Sequence, residues 1–141
     1  MGFQSIYKTI RESILEALPD DAGINVRLIG HSLGGALVTL CALDAQMPLP
    51  ASMLSFASPR TGDAAFKDAF NGAVSDYIRV VNKPDIAPHL PLPIGYRHVG
   101  VAAVIDSGFT LDIRFAHELC DGYLRGLNRA VVTPPVVAPF D

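Results

Sequence analysis

A serine between two glycines is the first group in this sequence that could do chemistry. Gly30, Ser32 and Gly34 have the spacing Gly-x-Ser-x-Gly, with a short apolar strand pattern before them and a helical pattern after them. At such a sharp strand-to-helix turn the serine hydroxyl stands clear of the sheet, and the glycines leave room for neighbouring backbone. The sequence therefore predicts Ser32 as a nucleophile. The N–H of Leu33, at the start of the helix, is predicted to donate to an oxyanion.

A serine nucleophile needs a base, and the base needs an orienting carboxylate. In chains with this turn the carboxylate and then the histidine follow the serine. Asp85 comes just after a predicted strand, and active residues gather at the carboxyl edge of a parallel sheet. Asp63, in the loop after the preceding strand, is the alternative acid, whereas Asp106 belongs to an Asp-Ser-Gly turn. Asp85 is the preferred acid.

Four histidines compete for the role of base. His31 is too close to the serine in sequence to turn back onto it, and His89 follows the predicted acid by only four residues, flanked by prolines. His98 opens a strand and is expected to be packed or hydrogen-bonded. His117 heads the last predicted helix and follows both other groups, so order and position favour it over its alternative, an exposed residue of the first helical turn.

The elements that must position these residues alternate along the chain. Strands are predicted at 25–29, 53–57 and 77–81, and helices at 3–18, 33–45, 64–70 and 116–127. A hairpin of 99–105 and 109–113 is predicted around the turn at 106–108. The alternation implies parallel βαβ units. The predicted fold class is α/β: a three-layer parallel sheet with helices on both faces and a C-terminal hairpin.

Composition restricts the function further. At 141 residues the chain is at most one domain, and its 50% hydrophobic content suits a parallel sheet covered on both faces. A net charge of −3 does not indicate binding to nucleic acid. No His/Cys cluster has metal-ligand spacing, so neither a metal nor a cofactor is expected. Of the two cysteines, Cys41 is expected to pack in the core. The position of Cys120 indicates no particular role.

Several segments resemble the class 3 lipases, the fungal-type triacylglycerol lipases. They are Gly-His-Ser-Leu-Gly-Gly at 30–35, Ser-Phe-Ala-Ser-Pro-Arg-Thr-Gly-Asp at 55–63 with Phe66, Arg-Val-Val-Asn-Lys-Pro-Asp-Ile-Ala-Pro-His-Leu-Pro at 79–91, Tyr-Arg-His-Val-Gly at 96–100, and His-Glu-Leu at 117–119 with Tyr-Leu at 123–124. The resemblance implies an α/β-hydrolase fold with Ser32 as nucleophile, Asp85 as acid, His117 as base and a structural role for His98. Ala57 departs from the glycine usual in that family.

The resemblance covers the carboxyl-terminal half of a lipase domain. In that family several strands, a lid helix and the loop with the first oxyanion donor precede the helix that corresponds to residues 3–18. We therefore expect residues 1–128 to be the carboxyl-terminal part of an α/β-hydrolase domain, and 129–141 to be an irregular Pro-rich tail. The strand before Ser32 would then lie at a sheet edge that is open to self-association.

The expected activity is serine carboxylic-ester hydrolysis through an acyl-enzyme, on lipid or other apolar esters, with contact at a lipid surface. The alternative is a catalytically incomplete lipase fragment that acts as a binding or assembly module or needs a partner chain. The sequence has no signal-peptide pattern and no apolar run of about 18 residues that would span a membrane. The family resemblance allows a secreted or a cytoplasmic protein.

Overall fold

The computed structural model describes residues 2–18, 25–44, 51–130 and 136–138. Its strands are β1 (Val26–His31), β2 (Ala51–Phe56), β3 (Tyr77–Asn82), β4 (Ala102–Ile105) and β5 (Val136–Ala138). Its helices are α1 (Phe3–Ala17), α2 (Leu33–Ala42), α3 (Ala64–Ala73), α4 (Ile113–His117) and α5 (Arg125–Ala130), with a 3-10 turn at Ala87–His89 and a π-helix at Leu119–Leu124. None of the described helices is long and apolar enough to cross a bilayer.

The strands form one sheet in the order β1-β2-β3-β4-β5. The first four are parallel, and β5 pairs antiparallel with β4. The predicted parallel βαβ units are therefore confirmed. Because β1 to β4 run in one direction, the loops that follow them all leave from the same edge of the sheet, which we call the carboxyl edge.

Helices cover both faces of this sheet, as predicted. On one face, α2 and α3 pack on β2 through a core that includes Met53, Phe70 and Val74, and α1 packs outside α2. On the other face, Tyr123 of the π-helix packs against Val80 of β3. Successive strand residues point to opposite faces, so each strand contributes to both cores.

The predicted hairpin at 99–105 and 109–113 is wrong. Only its first arm holds a strand, β4, and the second is a loop that leads into α4. The carboxylate of Asp112 accepts hydrogen bonds from the N–H groups of Arg114 and Phe115, so this residue starts a helix where alternation had suggested a strand. The single helix predicted at 116–127 is also wrong, because α4, the π-helix and α5 share that range.

The tail is not uniformly irregular. The last helix continues to Ala130, and β5 at Val136–Ala138 adds a strand to the sheet despite the prolines around it. Proline is tolerated beside an edge strand because such a strand needs partners on one side only. The domain boundary near residue 128 stays a prediction.

The sheet has a partly bare face next to its β1 edge. Ile29, Leu54 and Ile78 lie side by side on three neighbouring strands. Ile29 is 59% exposed and Ile78 is 50% exposed. Within the described residues β1 is the outermost strand, as the sequence predicted. An apolar row beside an open strand edge favours pairing with another chain.

The isolated chain is therefore expected to self-associate rather than stay monomeric. Size-exclusion chromatography with light scattering measures this directly. Ile29→Lys should weaken the association, because a charge on an edge strand opposes pairing. The matched change Ile10→Lys, on the solvent-facing part of α1, should have no such effect. A monodisperse wild-type monomer would contradict the prediction.

Candidate active site

Ser32 occupies a strained position between β1 and α2. Its backbone has φ 56° and ψ −124°, in the left-handed region that non-glycine residues rarely adopt. Its N–H donates to the carbonyl of Phe56 at 2.9 Å, which ties the turn to the end of β2. Although Ser32 precedes the helix, its hydroxyl makes no capping hydrogen bond. The hydroxyl is therefore available to other partners.

Ala57, which follows β2, also has a positive φ. Its φ is 54°, and its side chain is fully buried. This left-handed conformation favours glycine. The positive φ is a physical reason why the family that the sequence resembles usually has glycine at this position. The structure shows that alanine can also adopt this conformation here.

The structure brings together the three predicted groups Ser32, His117 and Asp85. The hydroxyl of Ser32 lies 2.8 Å from Nε2 of His117. Nδ1 of His117 lies 3.1 Å from both carboxylate oxygens of Asp85. The carboxylate is fully buried, whereas the imidazole is 28% exposed. The imidazole of His117 therefore lies towards the solvent, and the carboxylate of Asp85 lies in the interior.

Tyr123 is a fourth group in this arrangement. Its hydroxyl donates to Oδ2 of Asp85 at 2.7 Å, and the N–H of Ala87 donates to Oδ1 at 2.9 Å. Three donors, with Nδ1 of His117, thus surround the buried carboxylate. Burial, followed by the charge of Asp85, raises the pKa of Tyr123 well above its ordinary value. The tyrosine therefore stays protonated as a donor.

Asn82 holds the loops around the site together. Its amide donates to Oγ of Ser107 and to the carbonyl of Ala116, each at 2.9 Å. Its Oδ1 accepts from the N–H of Ser107 at 2.9 Å. Because Ala116 immediately precedes His117, this buried amide holds the backbone that carries the His117 imidazole. The sequence analysis quoted Asn82 and Tyr123 only as parts of the resembling segments and assigned neither of them a role.

The remaining histidines have contacts other than the serine hydroxyl. His31 bonds through Nε2 to the carbonyl of His117 at 2.7 Å, so its ring contacts the His117 backbone. His98 is buried and bonds to the carbonyl of Pro88 at 2.7 Å. Burial, together with nearby cationic side chains, lowers the pKa of His98 to about 3. It is therefore neutral and hydrogen-bonded, in agreement with its expected structural role. His89 ends the 3-10 turn.

The competing carboxylates have structural partners of their own. Asp63 caps α3 by accepting from the N–H of Phe66 at 2.9 Å. Asp106 accepts from the N–H of Gly108 at 2.9 Å and lies 3.4 Å from Lys83. The Gly108 bond, with a smaller contribution from the ammonium of Lys83, lowers the pKa of Asp106. Asp106 is thus a turn residue, as predicted.

The arrangement suits transfer of a proton from a hydroxyl to an imidazole held by a carboxylate. Leu33 begins α2, and the first N–H groups of a helix have no acceptor within it. In the described part of the chain, no group of three or more His, Cys, Asp or Glu side chains could hold a metal ion. The described residues therefore place a hydroxyl, an imidazole and a carboxylate in one hydrogen-bonded row beside the start of α2.

Known proteins with similar sequence and structure are lipases. A phospholipase A1-II 2 from Oryza sativa subsp. indica is 40% identical over 103 aligned positions, and the alignment covers 62% of this chain and 25% of the rice protein. Phospholipase A1-IIgamma from Arabidopsis thaliana is 33% identical over 132 aligned positions, and the alignment covers 81% of this chain and 31% of that protein. A solved triacylglycerol lipase, described as having a serine protease triad at its catalytic centre, superposes with a TM-score of 0.65 and 32% identity, covering 73% of this chain and 43% of that one.

The chain spans about a quarter to a third of the length of these two curated relatives. The fold that it contains is part of an α/β-hydrolase fold, with four parallel strands and helices on both faces. Residues 1–94 match the family described as Lipase (class 3). This match, together with the strand-to-helix turn at Ser32 and the strand order, shows that the chain belongs to the class 3 lipase family.

Proposed function

We propose that this chain carries the reacting groups of a serine hydrolase that cleaves lipid or other apolar carboxylic esters. The observation that carries the proposal is the contact of the Ser32 hydroxyl with Nε2 of His117 at 2.8 Å, with Asp85 behind the imidazole. The substrate class rests on the relatives, which are named phospholipase A1 and triacylglycerol lipase.

In the proposed reaction Nε2 of His117 removes the proton of Ser32 as its oxygen attacks the ester carbonyl. The imidazolium that forms is stabilised by Asp85, and it then protonates the leaving alcohol. Water then attacks the acyl-enzyme, and His117 takes the proton of the water and returns it to the oxygen of Ser32. Each proton that leaves a nucleophile is thus returned to a leaving group.

Leu33 supplies one backbone donor to the oxyanion of the tetrahedral intermediate. An oxyanion needs donors in place before charge develops, and removing one from such a site costs about 10² to 10³ in kcat. We propose that a second donor comes from outside the residues described here.

A fluorophosphonate probe tests the proposal, because it reacts with activated serines and needs no fit to a lipid. Wild type should be labelled, and Ser32→Ala should not. Ser75→Ala, at an exposed serine just before β3, serves as the matched control and should label like wild type. Labelling that persists in Ser32→Ala would contradict the assignment.

The second candidate function is a non-catalytic module that binds or assembles with another chain. The bare row formed by Ile29, Leu54 and Ile78 favours it, since that face is suited to a protein partner. A folded wild-type chain that the probe does not label would support this candidate over the hydrolase.

A further inference from the structure

His31 is a residue of the Gly-x-Ser-x-Gly turn that the proposed reaction does not use. It is the last residue of β1, and a peptide bond joins it to Ser32. Side chains alternate along a strand, so His31 points to the same face of the sheet as Ile29. Tyr123 packs on that face, and the His31 ring lies against it.

The His31 ring also meets the end of the helix that carries His117. The helix α4 ends at His117, and the last carbonyl groups of a helix have no acceptor role within it. The carbonyl of Ala116 accepts from the amide of Asn82 at 2.9 Å. The next carbonyl, that of His117, accepts from Nε2 of His31 at 2.7 Å. Side chains from β3 and β1 thus hold two neighbouring carbonyls of this helix end.

The bond to the His117 carbonyl fixes the position of a proton on His31. A carbonyl oxygen accepts hydrogen bonds and cannot donate them, so Nε2 of His31 must carry the proton. In a neutral imidazole the other nitrogen, Nδ1, is then unprotonated. The structure therefore predicts a single tautomer of His31, and that tautomer can be observed directly.

The same ring packs against two side chains that bond to Asp85. The centroid of the His31 ring lies 4.9 Å from that of His117, with 43° between the ring planes. It lies 6.0 Å from that of Tyr123, in an edge-to-face contact. Both neighbours contact the carboxylate of Asp85. His31 thus restrains His117 twice, through a ring contact and through a backbone hydrogen bond.

This contact joins two parts of the chain that are far apart in sequence. His31 and His117 are separated by 86 residues, and Ser32 moves with His31 because the two are covalent neighbours. Among the described strands β1 is the outermost, so it pairs with a neighbour on one side only. A strand held on one side opens more readily. A displacement of about 1 Å between reacting groups can cost about 10² in rate.

We propose that His31 is a positioning residue that sets the distance between the Ser32 hydroxyl and Nε2 of His117. It acts by holding the backbone and the ring of His117, and it exchanges no proton with Ser32. The proposal rests on the proposed function, because this distance affects a rate only if Ser32 reacts.

Two substitutions separate the hydrogen bond of His31 from its ring. His31→Phe keeps a ring but removes the donor, so the rate constant of fluorophosphonate labelling should fall about 10². His31→Gln removes the ring but restores an N–H donor, and its rate should return to within about tenfold of wild type. His89→Phe is the matched control, at a half-buried histidine outside the row of Ser32, His117 and Asp85, and should stay within about threefold.

The rates are compared among variants whose far-UV spectra match that of wild type. Labelling of His31→Phe at the wild-type rate would overturn the proposal. A rate for His31→Gln as low as that for His31→Phe would also overturn it, because the restored donor would then have no effect.

A second measurement uses the wild-type chain and needs no reaction at Ser32. Nitrogen-15 NMR of histidine-labelled protein at mildly alkaline pH distinguishes protonated from unprotonated ring nitrogens, and His31→Gln identifies the His31 signals. Nε2 of His31 should carry a slowly exchanging proton, and Nδ1 should carry none. A folded chain with the proton on Nδ1 would overturn the proposal even if Ser32 is labelled. The expected Nε2 proton in a wild-type chain that is not labelled would support the contact with His117 and contradict the proposed function.

Discussion

Replacing Asp85 by asparagine is expected to slow the reaction of Ser32 with a fluorophosphonate by about 10⁴, the loss in kcat that the same change causes in a serine protease. Asparagine keeps the shape of the side chain but removes its charge. Its amide can also donate towards Nδ1 of His117, which would place the imidazole proton on Nε2 and remove the acceptor that faces the serine. The labelling rate constant, measured beside the far-UV spectrum, separates this effect from unfolding.

Asp63→Asn is the matched control for this prediction. Asp63 caps α3 through the N–H of Phe66, and asparagine caps helices about as well as aspartate. Both the labelling rate and the melting temperature should therefore stay close to wild type. A large loss in Asp63→Asn with a small one in Asp85→Asn would move the acid to the loop after β2.

Gly30→Ala is expected to destabilise the chain severely. A Cβ at this position would lie 2.3 Å from the carbonyl oxygen of Gly34 and 2.8 Å from the nitrogen of Gly35. These are backbone atoms at the start of α2, so the helix must move away from β1 to accept the methyl group. Overpacking typically costs 1–3 kcal/mol, and a rigid neighbour places this case at about 3 kcal/mol or more. Urea unfolding measures the difference.

Gly34→Ala should behave in the opposite way. The sequence analysis gave both glycines the same role, but a Cβ at Gly34 meets nothing within 4 Å. Since Gly34 lies in the first turn of α2, alanine should raise the free energy of unfolding by up to about 1 kcal/mol through its higher helix propensity. A loss in Gly34→Ala as large as that in Gly30→Ala would show that space around the turn is not what distinguishes them.

Local patterns predicted much of the site because its residues sit at the ends of regular elements. The turn around Ser32 and the position of Asp85 after β3 both follow from strands that the apolar spacing predicts. Asn82 and Tyr123 could not be assigned in this way. Their roles depend on contacts across 25 to 41 residues, which spacing along the chain does not report.

The loop at 106–112 shows why the hairpin prediction failed. Apolar residues at alternate positions ordinarily indicate a strand with one buried face. Phe109 and Leu111 follow that alternation yet are almost fully exposed, so the pattern reflects an outward-facing surface. The strand β5 was missed for a related reason. Its three residues lie among prolines, which argue against a strand. They form one because they pair with the free edge of β4.

The π-helix determines how many residues can separate His117 from Tyr123. Its wide turn lets the N–H of Tyr123 reach the carbonyl of Glu118, five residues back, at 3.1 Å. An α-helix completes its turn with four residues and advances about 100° per residue. A chain with one residue fewer between His117 and Tyr123 would therefore need an ordinary α-turn to keep the tyrosine in phase with Asp85. Across related chains, a gain or loss of one residue here should accompany a change in helix type, and alignments that insert a gap should place it within this turn.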